Sequence, residues 1–157
     1  MRAVALTAVA AAAAWCAGES LIPKTVCEIA RDLPSHEGKV IAVLGRYSFR
    51  TNGRWMAEDV CEDGKPGAEL WMVEDLKDAP KPPDQLVLDS ATLKKKFAEI
   101  QTRTTLGKFK FGTTDYDRWA VVYGRVEAAK GTEGRKSAGQ LVFRGNAVIV
   151  VITPNEW

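Results

Sequence analysis

Two apolar runs set far apart in the chain, GKVIAVLGRY at residues 38–47 and VVYGRV at residues 121–126, each pass into a Gly-Arg pair. In the first, Ile41, Val43, Gly45, Tyr47 and Phe49 alternate on one side of an extended segment, while Val40, Ala42 and Leu44 supply apolar side chains on the other. Such a strand must be covered on both faces in its first half, and Arg46, Ser48 and Arg50 bring its second half out to water. Glycine inside a strand weakens it, so its presence points to a bend or a close approach of backbone. Gly45, Gly124 and Gly145, each within a predicted strand, are therefore expected to mark corners of a sheet that closes on itself.

The remaining segments supply the partners. PKTVCEIARDLPSHEG opens as a short helix: Thr25 and Glu28 have capping-box spacing, Val26, Ile29, Ala30 and Leu33 share a face, and Pro34 is expected to end it. Asn52-Gly53 signals a hairpin built on positive φ values. Strands follow at RWMAEDV and ELWMVED, separated by the acidic loop CEDGKPGA, and make a three-stranded meander. A proline-rich connection leads to the helix LDSATLKKKFAEIQTR, capped by Asp89 or Ser90, with Leu93, Phe97 and Ile100 as its apolar stripe. Residues 104–118 are the least patterned, with KFKF read as a short strand before the turn-like GTTDYD. RWAVVYGRVEA, a polar loop and one long final strand, LVFRGNAVIVVI, complete the order.

That order predicts a mainly β chain, and strand, strand, strand, helix, strand, strand resembles the OB-fold over about residues 38–152. GKVIAVLGRY resembles its first strand and VVYGRV its fourth. The expectation is a five-stranded OB-like barrel, with a short N-terminal helix and a second helix between strands 3 and 4. A β-sandwich or another small barrel is the alternative. The helix carrying Cys27 ahead of the barrel is similar to that of small exported bacterial OB-like proteins of uncharacterised function. The resemblance implies a fold and brings no catalytic residues with it.

The N-terminus, MRAVALTAVAAAAAWCAGES, has an early Arg, an apolar run and small residues near Gly18, the layout of a signal peptide over residues 1–18. Residues 19–157 then form a single domain. The run is shorter than the ~20 residues of a membrane-spanning helix. Cys16 invites a lipid anchor, but Trp15 stands where acylation calls for a small residue. Removing the leader takes away Arg2 and no acid, so the net charge falls from +2 to +1, which argues against electrostatic capture of nucleic acid or an anionic membrane. Two cysteines remain, Cys27 and Cys61, and export favours a disulfide between them.

Chemistry is thinly represented. His36 is the single histidine and lies in a predicted turn, with no nucleophile–base pattern around it. His36, Cys27 and Cys61 lack metal-ligand spacing, so neither cofactor nor metal is expected. Glu58, Asp59, Glu62, Asp63, Glu74 and Asp75 are dense but carry no calcium-loop spacing, and are expected to be solvated. Arg46, Arg50, Arg54, Trp55 and Trp71 are the candidate ligand-binding residues, since OB-folds commonly bind through their second and third strands and aromatics beside cations stack bases or sugars. The reading is a non-catalytic exported binding or interaction module whose partner is a protein or a cell-envelope glycan. The alternative is a nucleic-acid-binding OB domain.

Overall fold

The computed structural model describes residues 20–84, 86–107, 112–113, 115–130 and 137–152, the side chains of 149–152 excepted. The proposed leader and the KFKF segment lie outside them. Strand β1 (Lys24–Thr25) runs straight into helix α1 (Val26–Arg31), and the capping box forms: the Thr25 hydroxyl accepts from the Glu28 amide at 3.2 Å, and the Glu28 carboxylate accepts from the Thr25 amide at 2.7 Å. Pro34 does not end helical structure as expected. Asp32 closes α1, and its carboxylate accepts from the Ser35 amide to start a second short helix, α2 (Leu33–His36), whose first turn tolerates a proline without an N–H.

The barrel strands are β2 (Val40–Arg50), β3 (Gly53–Val60), β4 (Pro66–Glu74), β5 (Tyr116–Glu127) and β6 (Gly139–Phe143). Antiparallel pairing joins β2 to β3 and β3 to β4, a parallel pair joins β4 to β6, and antiparallel β6–β5 and β5–β2 ladders close the ring. The result is a mainly β structure with a closed five-stranded barrel, compatible with an OB-like fold. Helix α3 (Ser90–Gln101) falls between the third and fourth barrel strands, and the Asp89 carboxylate caps it by accepting from the Thr92 amide.

Two local expectations are corrected. Arg50 pairs with Gly53, so Thr51 and Asn52 span the hairpin, and only Gly53 of the Asn-Gly pair has positive φ, at 131°. The last strand breaks at a turn containing Gly145, and β7 (Val148–Ile152) doubles back along β5 while β6 stays in the barrel. Gly145 thus lies between strands, because β6 is held between β4 and β5 and its continuation must reverse to reach the free part of β5.

The two Gly-Arg pairs occupy equivalent places. Along one edge of β2, Val43 and Leu44 pair with β1, and pairing with β3 begins at Arg46. Along one edge of β5, pairing with β7 ends at Val122, and pairing with β6 begins at Arg125. Gly45 and Gly124 are the handover points, where a strand changes neighbour. The space there is small: a Cβ on Gly45 would lie 2.9 Å from a Val26 methyl, and one on Gly124 would lie 2.7 Å from the Val142 carbonyl oxygen.

Two cores result. Val43, Tyr47, Met56, Leu70, Met72, Val122, Leu141 and Phe143 fill the barrel, and α1 adds Val26 and Ile29. On the outside of the β2–β5 ladder, Ala42, Leu44, Trp119 and Val121 are covered by Leu93, Phe97 and Ile100 of α3. The two apolar faces of GKVIAVLGRY therefore have different covers, the barrel interior and a helix.

Candidate functional site

Because Met56, Leu70 and Met72 enter the barrel, alternation turns Trp55 and Trp71 to its outer face. They are register partners across β3 and β4, half-buried, with ring centroids 5.9 Å apart and planes within 16° of parallel. The Trp71 ring also covers Gly53, where any Cβ would collide with it. The indoles thus sit beside the β2–β3 hairpin, partly supported from below and partly open to solvent.

The three arginines grouped with them do different work. Arg46 lies 2.6 Å from Asp59 and donates to the Thr105 carbonyl at 2.8 Å. Arg50 lies 2.6 Å from Asp117 and donates to the Tyr116 carbonyl at 2.8 Å. The same carboxylates accept from the amides of Thr105 and Gly107, so Arg46 and Arg50 clamp the segment after α3 against the barrel. Arg54 alternates with Met56 onto the inner side of β3, away from the indoles. It pairs with Glu74 at 3.1 Å, and its guanidinium lies 5.0 Å from the centre of the Phe49 ring.

A second aromatic group adjoins this end of the barrel. Strand β5 begins at Tyr116, two residues before the predicted start, and this sets Tyr116 opposite Phe49. Their rings stack at 5.4 Å, with Tyr47 5.9 Å from Tyr116 on the inner side. Burial pushes the Tyr47 phenol up to about 12, with Tyr116 adding to the shift. Arg118 lies across the Tyr116 ring at 5.0 Å. Tyr116 and Arg118 fall in and beside the least patterned stretch, yet the two-residue spacing Tyr116, Arg118, Ala120, Val122 was the available signal for their shared face.

At the other end of β3, Cys27 and Cys61 are bonded, with Cα atoms 5.6 Å apart. Glu58 corrects the reading of a solvated acidic loop, for it is fully buried. Its carboxylate accepts from the Cys27 amide at 2.9 Å and pairs with Arg103 at 3.2 Å, joining α1, β3 and the end of α3. A groove of about 350 Å³ runs beside the disulfide, past Ala30, Arg31, Lys65 and Ala68. His36 is turned back on its own helix, with Nδ1 donating to the Asp32 carbonyl at 2.8 Å. Among the described residues, no three His, Cys, Asp or Glu side chains are grouped to hold a metal ion.

In comparisons with known proteins, no family model, curated protein or solved structure matches this chain.

Proposed function

We propose that the chain is a non-catalytic binding or interaction module, exported after loss of residues 1–18, that meets a protein or a cell-envelope glycan through the hairpin end of β2, β3 and β4. The observation that carries this reading is the Trp55–Trp71 pair, two aligned indoles half open on an outer barrel face. Partly exposed tryptophan offers a large apolar area at low conformational cost, which suits it to stacking on a sugar ring or receiving a partner's side chain. The surrounding arginines favour such a ligand over a polyanion, since Arg46, Arg50 and Arg54 are each neutralised by a carboxylate of the chain itself. Export is supported by the sequence of the leader and is compatible with the disulfide. Among the described residues, no helix is long and apolar enough to cross a membrane.

The nucleic-acid reading draws only on the proximity of arginine and tryptophan. The deciding experiment is binding of the processed, oxidised protein to purified envelope glycan and to purified envelope proteins, repeated with Trp55→Ala and Trp71→Ala. One or both variants are expected to lose about 2 kcal/mol of affinity. Melting curves taken alongside separate lost contact from lost fold. Undiminished binding in both folded variants would remove the reading.

A further inference from the structure

The face of the meander that carries the indoles also holds a cleft of about 270 Å³, lined by Arg46, Glu58, Asp59, Gly67 and Glu69. Strand register sets it beside the tryptophans. Trp55 and Trp71 form one cross-strand row, and two residues along lies the row Arg46, Ala57 and Glu69, from β2 to β4. These residues alternate with Tyr47, Met56, Leu70 and Met72, which enter the barrel, so both rows share the outer face. Arg46 and Glu69 stand roughly 10 Å apart in backbone terms, two strand spacings, on either side of Ala57. Beyond them, Gly67 leaves the cleft unfilled, because any Cβ there would strike the Glu58 and Asp59 carbonyls.

The polar groups of the cleft are unevenly satisfied. Glu58 is paired with Arg103, and Asp59 is paired with Arg46 and accepts from the Thr105 amide. The Glu69 carboxylate is exposed and has no partner among the described residues, although its backbone carbonyl accepts from the Ala138 amide. Arg46 is only 17% exposed, and of its three nitrogens Nη1 alone is bonded. Its Nε is enclosed without an acceptor, so the donors left for a ligand are those of Nη2. The cleft thus offers an unused donor, an unused acceptor and one uncompensated negative charge. An anion would meet Glu69 unfavourably, and an ammonium group would leave Arg46 unanswered. A hydroxyl both donates and accepts, so neighbouring hydroxyls of one uncharged ring answer Glu69 and Arg46 together.

We infer that the Arg46–Glu69 cleft is the hydroxyl-recognising subsite of a glycan site, taking an uncharged sugar of a chain that also rests on Trp55 and Trp71. The inference deepens the binding-module reading and rests on it for the tryptophan contact. It selects a glycan over a protein, and a neutral glycan over an acidic one. The indoles supply the apolar stacking surface and the cleft supplies orientation, since its two hydrogen-bonding groups come from strands that β3 holds apart.

The test uses envelope polysaccharide, cut to short oligosaccharides and separated by anion exchange into neutral and acidic fractions. Each fraction is titrated into the processed, oxidised protein and followed in ¹H–¹⁵N spectra. With the neutral fraction, the Gly67 and Glu69 backbone amides and the Trp55 and Trp71 indole N–H groups are expected to move saturably with one shared midpoint. Glu69→Ala, a change at an exposed side chain, is expected to weaken binding about tenfold. Arg46→Lys, which keeps a cation beside Asp59 and loses Nη2, is expected to do the same. Melting curves establish that both variants are folded. Undiminished binding by either folded variant, movement of the indoles without Gly67 and Glu69, or preference for the acidic fraction overturns the inference. Each of these leaves the tryptophan reading standing, as does binding to envelope protein alone, which also overturns the inference. The tryptophan reading itself falls only if Trp55→Ala and Trp71→Ala leave binding unchanged.

Discussion

Gly45 and Gly124 differ in what a methyl group would strike. At Gly45 the nearest atom is a methyl of the Val26 side chain, whereas at Gly124 it is a backbone carbonyl oxygen fixed in a ladder. Gly124→Ala is therefore expected to cost about 2–3 kcal/mol and Gly45→Ala about 1–2 kcal/mol, as read from urea unfolding midpoints. Neither has positive φ, so the cause is space rather than backbone conformation. Glu28 and Tyr47 are two of the described residues that tie stability to pH. Burial alone would raise the Glu28 carboxyl, but hydrogen bonds from Lys96 and the Thr25 amide outweigh it and hold the group below its ordinary 4.5. A depressed folded value means that the stabilisation is present above pH 4.5 and fades as pH falls through that lower value. The stability gap between the native chain and Glu28→Gln should accordingly narrow on acidification. Tyr47 has the opposite sign. Its phenol is raised from 10.0 to about 12, so Tyr47→Phe should remove part of the loss of stability seen between those two values.

At the scale of elements, α1 is secured twice at one spot, by the Cys27–Cys61 bond and by the Glu58 carboxylate on the Cys27 amide. Replacing both cysteines by serine should lower stability by about 3–4 kcal/mol, the loop-entropy cost for a segment of this length, and calorimetry would measure it. Arg103→Met should cost about 3 kcal/mol, since it takes the cationic partner away from the buried Glu58 side chain. The elements themselves were largely legible in the sequence. Alternation through Val43, Tyr47 and Phe49 located β2, and the Thr25–Glu28 spacing located α1. Glu58 was not legible, because its burial depends on α1 and α3 arriving from distant parts of the chain, and nothing in EDVCEDG distinguishes it from its solvated neighbours. Arg46 and Arg50 were grouped with the tryptophans for the same reason. Their acceptors, Asp59 and Asp117, are set by a fold and not by local pattern.

At the scale of the whole molecule, the charge of the described arginines is largely consumed internally. With seven of eight described arginines already bonded to oxygen and a formal net charge of only +2, the chain is poorly equipped to displace counterions along a phosphate backbone. Single-stranded DNA is therefore expected not to bind measurably at physiological salt. A salt-dependent micromolar affinity that Trp71→Ala weakens without unfolding would instead favour the nucleic-acid reading. The way the ring closes also bears on time. β2 finds its partner β5, and β4 its partner β6, only after α3 and the segments around it have been made. Until then the β2–β3–β4 meander has two unpaired edges, each open to mispairing with another chain. Cys27 and Cys61 both precede α3, so their bond is free to form on the unfinished chain. Once formed, it holds α1 against the open meander, a cover in place before the strands that complete the barrel have appeared.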